Sequence, residues 1–118
     1  MRTRTQFARE LAGLGLSHVE RAVAFLYYYS VTQEFEERAV SDLAGDLNEE
    51  GFPKPNVTRL RDGLRRTRYT IRGRRPDTFR IDVRCQADLE SRYAALLQRA
   101  PIPQSDAIVA TTTVAGTR

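Results

Sequence analysis

The side chains with the most chemistry to offer crowd into one stretch. Residues 53–84 hold Lys54 and ten arginines, at positions 59, 61, 65, 66, 68, 72, 74, 75, 80 and 84, against three acids, Asp62, Asp77 and Asp82. That stretch carries +8 in a chain whose net charge is +4, so the remainder carries −4. Residues 31–52 alone place seven acids against Arg38. A guanidinium group offers a planar fork of donors that matches a phosphate, or the edge of a guanine, two bonds at a time. Charge segregated in this way gives one positive face suited to a polyanion and one negative face. Of the 19 basic residues all but Lys54 are arginine. A GC-rich genome would also produce that bias, but it would not produce the clustering.

Catalytic groupings are not legible. His18 is the one histidine, and it lies inside a helix-capping sequence. Cys85 falls where a strand should meet a helix, so it reads as packed rather than as part of a triad. No phosphate-cradling glycine loop and no metal-ligand spacing occurs. Pro76-Asp77 would open a nuclease signature, but no acid-x-lysine follows and Lys54 precedes it. The expectation is a protein that is not an enzyme and needs no cofactor or metal. A hydrophobic fraction of 41% with 29% charged residues is that of a soluble globular chain. With one cysteine no intrachain disulfide forms, and the apolar run Ala22–Tyr29 is too short to span a bilayer. Both point to a cytoplasmic protein with no membrane partner.

Periodicity says which elements must carry these side chains. Thr5 to about Gly13 reads as a short helix with Phe7, Leu11 and Leu14 on one side. Ser17 and Glu20 have capping-box spacing and open a stronger helix to about Ser30, with Val19, Ala22, Val23 and Leu26 at helical spacing. Phe25 and Tyr28 widen its apolar stripe, and the run Tyr27-Tyr28-Tyr29 reads as core and rim. Gln33–Glu37 reads as a solvated acidic loop, and Arg38–Val40 as a brief strand. Ser41 is the expected N-cap of a helix carrying Leu43, Ala44 and Leu47, which Gly51 ends. After the turn Gly51–Pro55, Asn56 caps a third helix, Val57–Arg68, whose stripe of Val57, Leu60 and Leu64 is narrow. The period then changes from 3.6 to 2. Tyr69 and Ile71 alternate with Thr70 and Arg72, and Phe79, Ile81 and Val83 with Arg80 and Asp82, which makes a β-hairpin with a basic tip at 73–78. A last helix, about Gln86–Arg99, gathers Leu89, Tyr93, Leu96 and Leu97. Residues 1–100 then form a single domain, and 101–118, opening with Pro101-Ile102-Pro103, a disordered tail.

Helix, short strand, helix, tight turn, basic helix, hairpin, helix is an order that resembles the winged helix-turn-helix family of DNA-binding domains over about residues 17–97. Ser41–Leu47, Gly51–Pro55, Asn56–Arg68 and Tyr69–Val83 carry the resemblance. It implies a mainly α fold with a β-hairpin: a three-helix core plus wing, with extra N-terminal and C-terminal helices. It also implies a transcriptional regulator that binds duplex DNA, with the third helix in the major groove and the wing on the backbone or minor groove. Arg59 would then pair with a guanine, Thr58 would meet a thymine methyl or a phosphate, and Asn56, first of all the N-cap, would at most add a base contact. Some of Arg61, Arg65, Arg66 and Arg68 would grip flanking phosphates, Lys54 belongs to the same DNA-binding set, and Arg72, Arg74 and Arg75 would serve the wing. Asp62 is expected to pair with Arg65 or Arg66 within the helix.

Single modules bury limited surface on DNA, so a homodimer through the first and last helices is the expected assembly. Two other readings stay open. One is a protein-interaction module that docks a partner through residues 31–50 or the tail. The other is binding of RNA or structured nucleic acid by the same arginines.

Overall fold

A computed structural model describes residues 2–97. The expected tail, the end of the last helix and any role for residues 101–118 lie outside the described residues. Five α-helices and a small three-stranded antiparallel sheet make up the described chain: α1 (Arg4–Ala12), α2 (His18–Thr32), β1 (Arg38–Ala39), α3 (Val40–Glu49), α4 (Val57–Arg66), β2 (Thr70–Arg72), β3 (Thr78–Ile81) and α5 (Gln86–Leu97). A 3-10 turn, Val83–Cys85, leads from β3 into α5.

Helix α2 is the hub, and it touches α3, α4, α5 and β3. Its start is set by the Ser17–Glu20 capping box. Its residues 22–29 are all buried, the three tyrosines included, because neighbours cover it on every side. Asn56 starts α4 by accepting the Arg59 amide, and Gly51 ends the preceding turn at φ 93°. Gly63 lets α4 lie close against α2, because a Cβ built there would stand 2.3 Å from Cγ2 of Val19. Leu60 and Leu64 are fully buried.

The sheet order is β1-β3-β2, so the brief strand before α3 pairs with the hairpin rather than standing alone. Arg38 lies opposite Phe79, and Ala39 opposite Thr78. In the hairpin, Thr70 faces Ile81 and Arg72 faces Phe79.

That register corrects one expectation. Directly paired residues share a face, so Thr70, not Ile71, lies with Ile81 and Phe79. Ile71 is paired with Arg80 on the other face. Thr70 is buried at no polar cost because its hydroxyl donates to the Leu64 carbonyl at 2.7 Å.

Four further expectations change. Leu14 lies beyond the end of α1 and is 51% exposed rather than on the core side. Ser41 is not the cap of α3; the helix starts at Val40 from Ala39, which offers no capping side chain, and the Val40 amide donates instead to the Asp77 carbonyl of the hairpin. Helix α4 ends at Arg66, since Thr67 is already extended. Val83 is 80% exposed, because the chain leaves the strand for the 3-10 turn after Ile81 and loses the two-residue alternation.

Candidate nucleic-acid interface

Successive residues of a helix are turned by about 100°. With Leu60 and Leu64 on the core side of α4, the opposite side presents Asp62 with Thr58 and Arg66 beside it, Arg59 on one flank and Arg65 toward the other. Arg61 lies on the other flank, against the hairpin. There its Nε donates to Oδ1 of Asp77 at 2.6 Å and its Nη2 to Oδ2 at 2.9 Å. Donation from Arg61 holds the Asp77 carboxyl below the usual carboxylate range, and the charges of Arg65 and Arg72 lower it further. Arg61 of α4 thus holds the carboxylate at the junction of helix and hairpin, and the charges of Arg65 and Arg72 act on it as well.

The hairpin tip has a second anchor. Glu37 is 6% exposed. One of its carboxylate oxygens accepts the Arg74 amide and the other the Arg75 amide, both at 2.9 Å, and the second oxygen also accepts the Thr78 hydroxyl at 2.8 Å. Those two amides, then the Thr78 hydroxyl, lower its pKa to about 2. The stretch read as a solvated acidic loop thus contains a buried acid that shapes the wing. Burial of so short a carboxylate requires several donors, and the sequence shows none of them nearby.

The expected contact residues sort into two groups. Lys54, Asn56, Thr58, Arg59, Arg66, Arg72 and Arg74 are exposed, and among the described residues none of their side chains pairs with a carboxylate at ion-pair distance. Arg65 is exposed, with a loose 3.8 Å contact to Asp62, as expected within one helix. Three others are engaged elsewhere. Arg61 is held by Asp77. Arg75 reaches back to Glu37 at 3.2 Å. Arg68 turns away from the helix face toward α5, donating to Asp88 at 2.7 Å and lying 4.5 Å over the Tyr69 ring. Arg80 and Arg84 are also turned aside, to Glu36 at 3.9 Å and to Asp82 at 2.7 Å.

Part of the acidic stretch is spent internally. Asp46, 4% exposed, accepts the Tyr29 hydroxyl at 2.7 Å and the Arg38 fork at 3.0 and 2.9 Å. Burial, and then donation to Asp46, raise the pKa of Tyr29. Arg4 reaches from α1 to Glu49 and Glu50 at the end of α3, at 2.6 and 2.7 Å. Glu37, Asp46 and Glu50 are thus neutralised by neighbours, while Glu34, Glu36, Asp42 and Glu49 of the same stretch are exposed.

Cys85 is buried and donates to the Arg68 carbonyl at 3.2 Å, as a packed thiol does. His18 is half-buried at the start of α2. Among the described residues no group of three or more His, Cys, Asp or Glu side chains is placed to hold a metal ion. No described helix is long and apolar enough to cross a membrane.

Asp77 and Glu37 are the members of this site that sequence reasoning missed. Asp77 left one sign: an aspartate after proline in a hairpin tip suits the left-handed backbone, and it adopts φ 57°. No protein-family model, curated protein or solved structure matches the chain.

Proposed function

We propose that the chain is a duplex-DNA-binding protein of winged-helix type that acts as a transcriptional regulator, with α4 in the major groove and the β2–β3 hairpin as the wing. One observation carries the reading. Thr58, Arg59, Arg65 and Arg66 are exposed on the outward arc of α4 and Arg72 and Arg74 on the hairpin, and the Arg61–Asp77 bonds join these two cationic elements into a single proposed ridge. A scaffold surface would be expected to pair such charges with acids, as this chain does at Arg4 and Arg38. Here four exposed arginines without a carboxylate partner, Arg59, Arg66, Arg72 and Arg74, lie on two neighbouring elements, with Arg9 on α1 and Lys54 before α4 as further such cations among the described residues.

The geometry suits groove binding. A helix fits the major groove and meets base edges with its N-terminal residues. In α4 that end displays Asn56, Thr58 and Arg59. The free amides of its first turn favour a phosphate nearby. The order β1-β3-β2 puts the hairpin at the side of the three-helix core α2–α3–α4 and supports the winged-helix assignment. Binding rather than catalysis is the proposed role, with a homodimer as the proposed assembly.

The test is a titration of a mixed-sequence duplex at several salt concentrations. Log K should fall linearly with log salt, by about 0.9 for each phosphate contacted. Five to seven contacts from this ridge would give a slope of roughly −5 to −6. Affinity that does not respond to salt would overturn the proposal. Duplex RNA that competes as well as duplex DNA would move it to the RNA reading.

A further inference from the structure

The Arg61–Asp77 clasp places a negative charge where the proposed function wants a positive surface. We propose that Asp77 is a specificity-determining residue that occupies Arg61 in the manner of a phosphate and so lowers the affinity for duplex DNA held only by its backbone; the inference rests on the DNA-binding reading above. A two-oxygen acceptor on the fork of an arginine is the arrangement a phosphate would make with the same group. Asp77 makes it with bonds of 2.6 and 2.9 Å, and Arg65 and Arg72 add their charge to the same carboxylate. A backbone phosphate approaching the junction must therefore displace Asp77 or do without Arg61, and it meets like charge in either case.

The clasp is not what holds the wing in place. The tip is fixed separately by Glu37 on the Arg74 and Arg75 amides, by the Gly73 amide on the Thr78 carbonyl, and by the Val40 amide on the Asp77 carbonyl. None of these bonds uses the Asp77 side chain. Removing that carboxylate should therefore change the electrostatics of the ridge while leaving its shape. The backbone at Asp77 has φ 57°, which asparagine and glycine both tolerate, so two substitutions can test the point without strain.

The experiment compares the full chain with D77N, D77G and the double variant D77N/R61A. The probe is a mixed-sequence duplex of about 20 base pairs, two turns of B-DNA. The proposal expects both single variants to bind roughly tenfold tighter at about 0.1 M salt, with a log–log slope steeper by about 0.9, as one released arginine gains one phosphate. Thermal midpoints should stay near that of the parent, and R61A in the D77N background should erase the gain. If the parent chain binds in a salt-dependent way and both variants bind equally or more weakly, the role of Asp77 is overturned and DNA binding stands. If neither parent nor variants bind duplex at low salt, both proposals fall.

Discussion

The carboxylate of Glu37 lies against the α-carbon of Gly73. A Cβ built on Gly73 would stand 2.8 Å from the Glu37 carboxyl carbon and 2.3 Å from the Thr78 hydroxyl. The residue before β1 and the residue after β2 therefore share one small space, and the shape of the wing depends on both.

Replacing that glycine tests the wing directly. Gly73→Ala should push Glu37 off the Arg74 and Arg75 amides and cost about 1–3 kcal/mol, the usual range for a crowded site. Amide exchange should locate the effect: residues 73–78 lose protection while α2 keeps it. Uniform loss across the chain, or none, would contradict the arrangement.

Acid should loosen the wing through Glu37. Its carboxyl titrates at about 2 in the folded chain, against an ordinary value of 4.5. Because the folded value is depressed, the stability it contributes is full above pH 4.5 and is lost as pH falls toward 2. Asp77, held by Arg61, Asp82, held by Arg84, and Asp88, held chiefly by the Tyr69 hydroxyl, are lowered as well and act in the same direction. Glu37→Gln should therefore flatten the decline of stability between these pH values without abolishing it. An unchanged slope would show that Glu37 is not held as described.

Gly63 sets how closely α4 approaches α2. In an open helix Gly→Ala gains about 1 kcal/mol from propensity. Here the added methyl would meet Cγ2 of Val19 at 2.3 Å, and a β-branched side chain has few rotamers to retreat into. Gly63→Ala should therefore destabilise the chain, by about 1–2 kcal/mol in urea unfolding. A more stable variant would show that the helices have room to spare.

Asp46 is a second buried carboxylate that gathers charge, from Arg38 and Arg4. Asp46→Ala would leave the Arg38 fork and the Tyr29 hydroxyl without their acceptor. Arg38 keeps some contact with water, so the loss should sit at the low end for a broken buried pair, about 3 kcal/mol. Thermal unfolding reads it, and Arg38→Ala should add little once Asp46 is gone.

The proposed division of labour on DNA predicts two different phenotypes. Arg59→Ala should relax base preference, by about 1–3 kcal/mol at the position it reads. Arg74→Ala should weaken all duplexes about equally and lower the salt slope by about 0.9. Selection from random duplexes, followed by titration, distinguishes them; exchanged phenotypes would reverse the roles of helix and wing.

Local chemistry was enough for much of this protein. The Ser17–Glu20 and Asn56 caps, the positive φ of Gly51, the apolar spacing of α2 and α4, and the change of period at Tyr69 are all interactions within a few residues, so composition and spacing reveal them. The cationic stretch was equally plain, being a property of neighbours along the chain. Which of its arginines take a carboxylate partner was not, because those partners lie far off in sequence: Arg61 meets Asp77, Arg68 meets Asp88, and Arg75 meets Glu37. The hairpin register was likewise decided by β3, which put Thr70 on the core face in place of the more apolar Ile71. Charge and periodicity are written residue by residue; pairing belongs to the folded chain, since a short carboxylate chooses its donors only once distant segments are brought within about 3 Å.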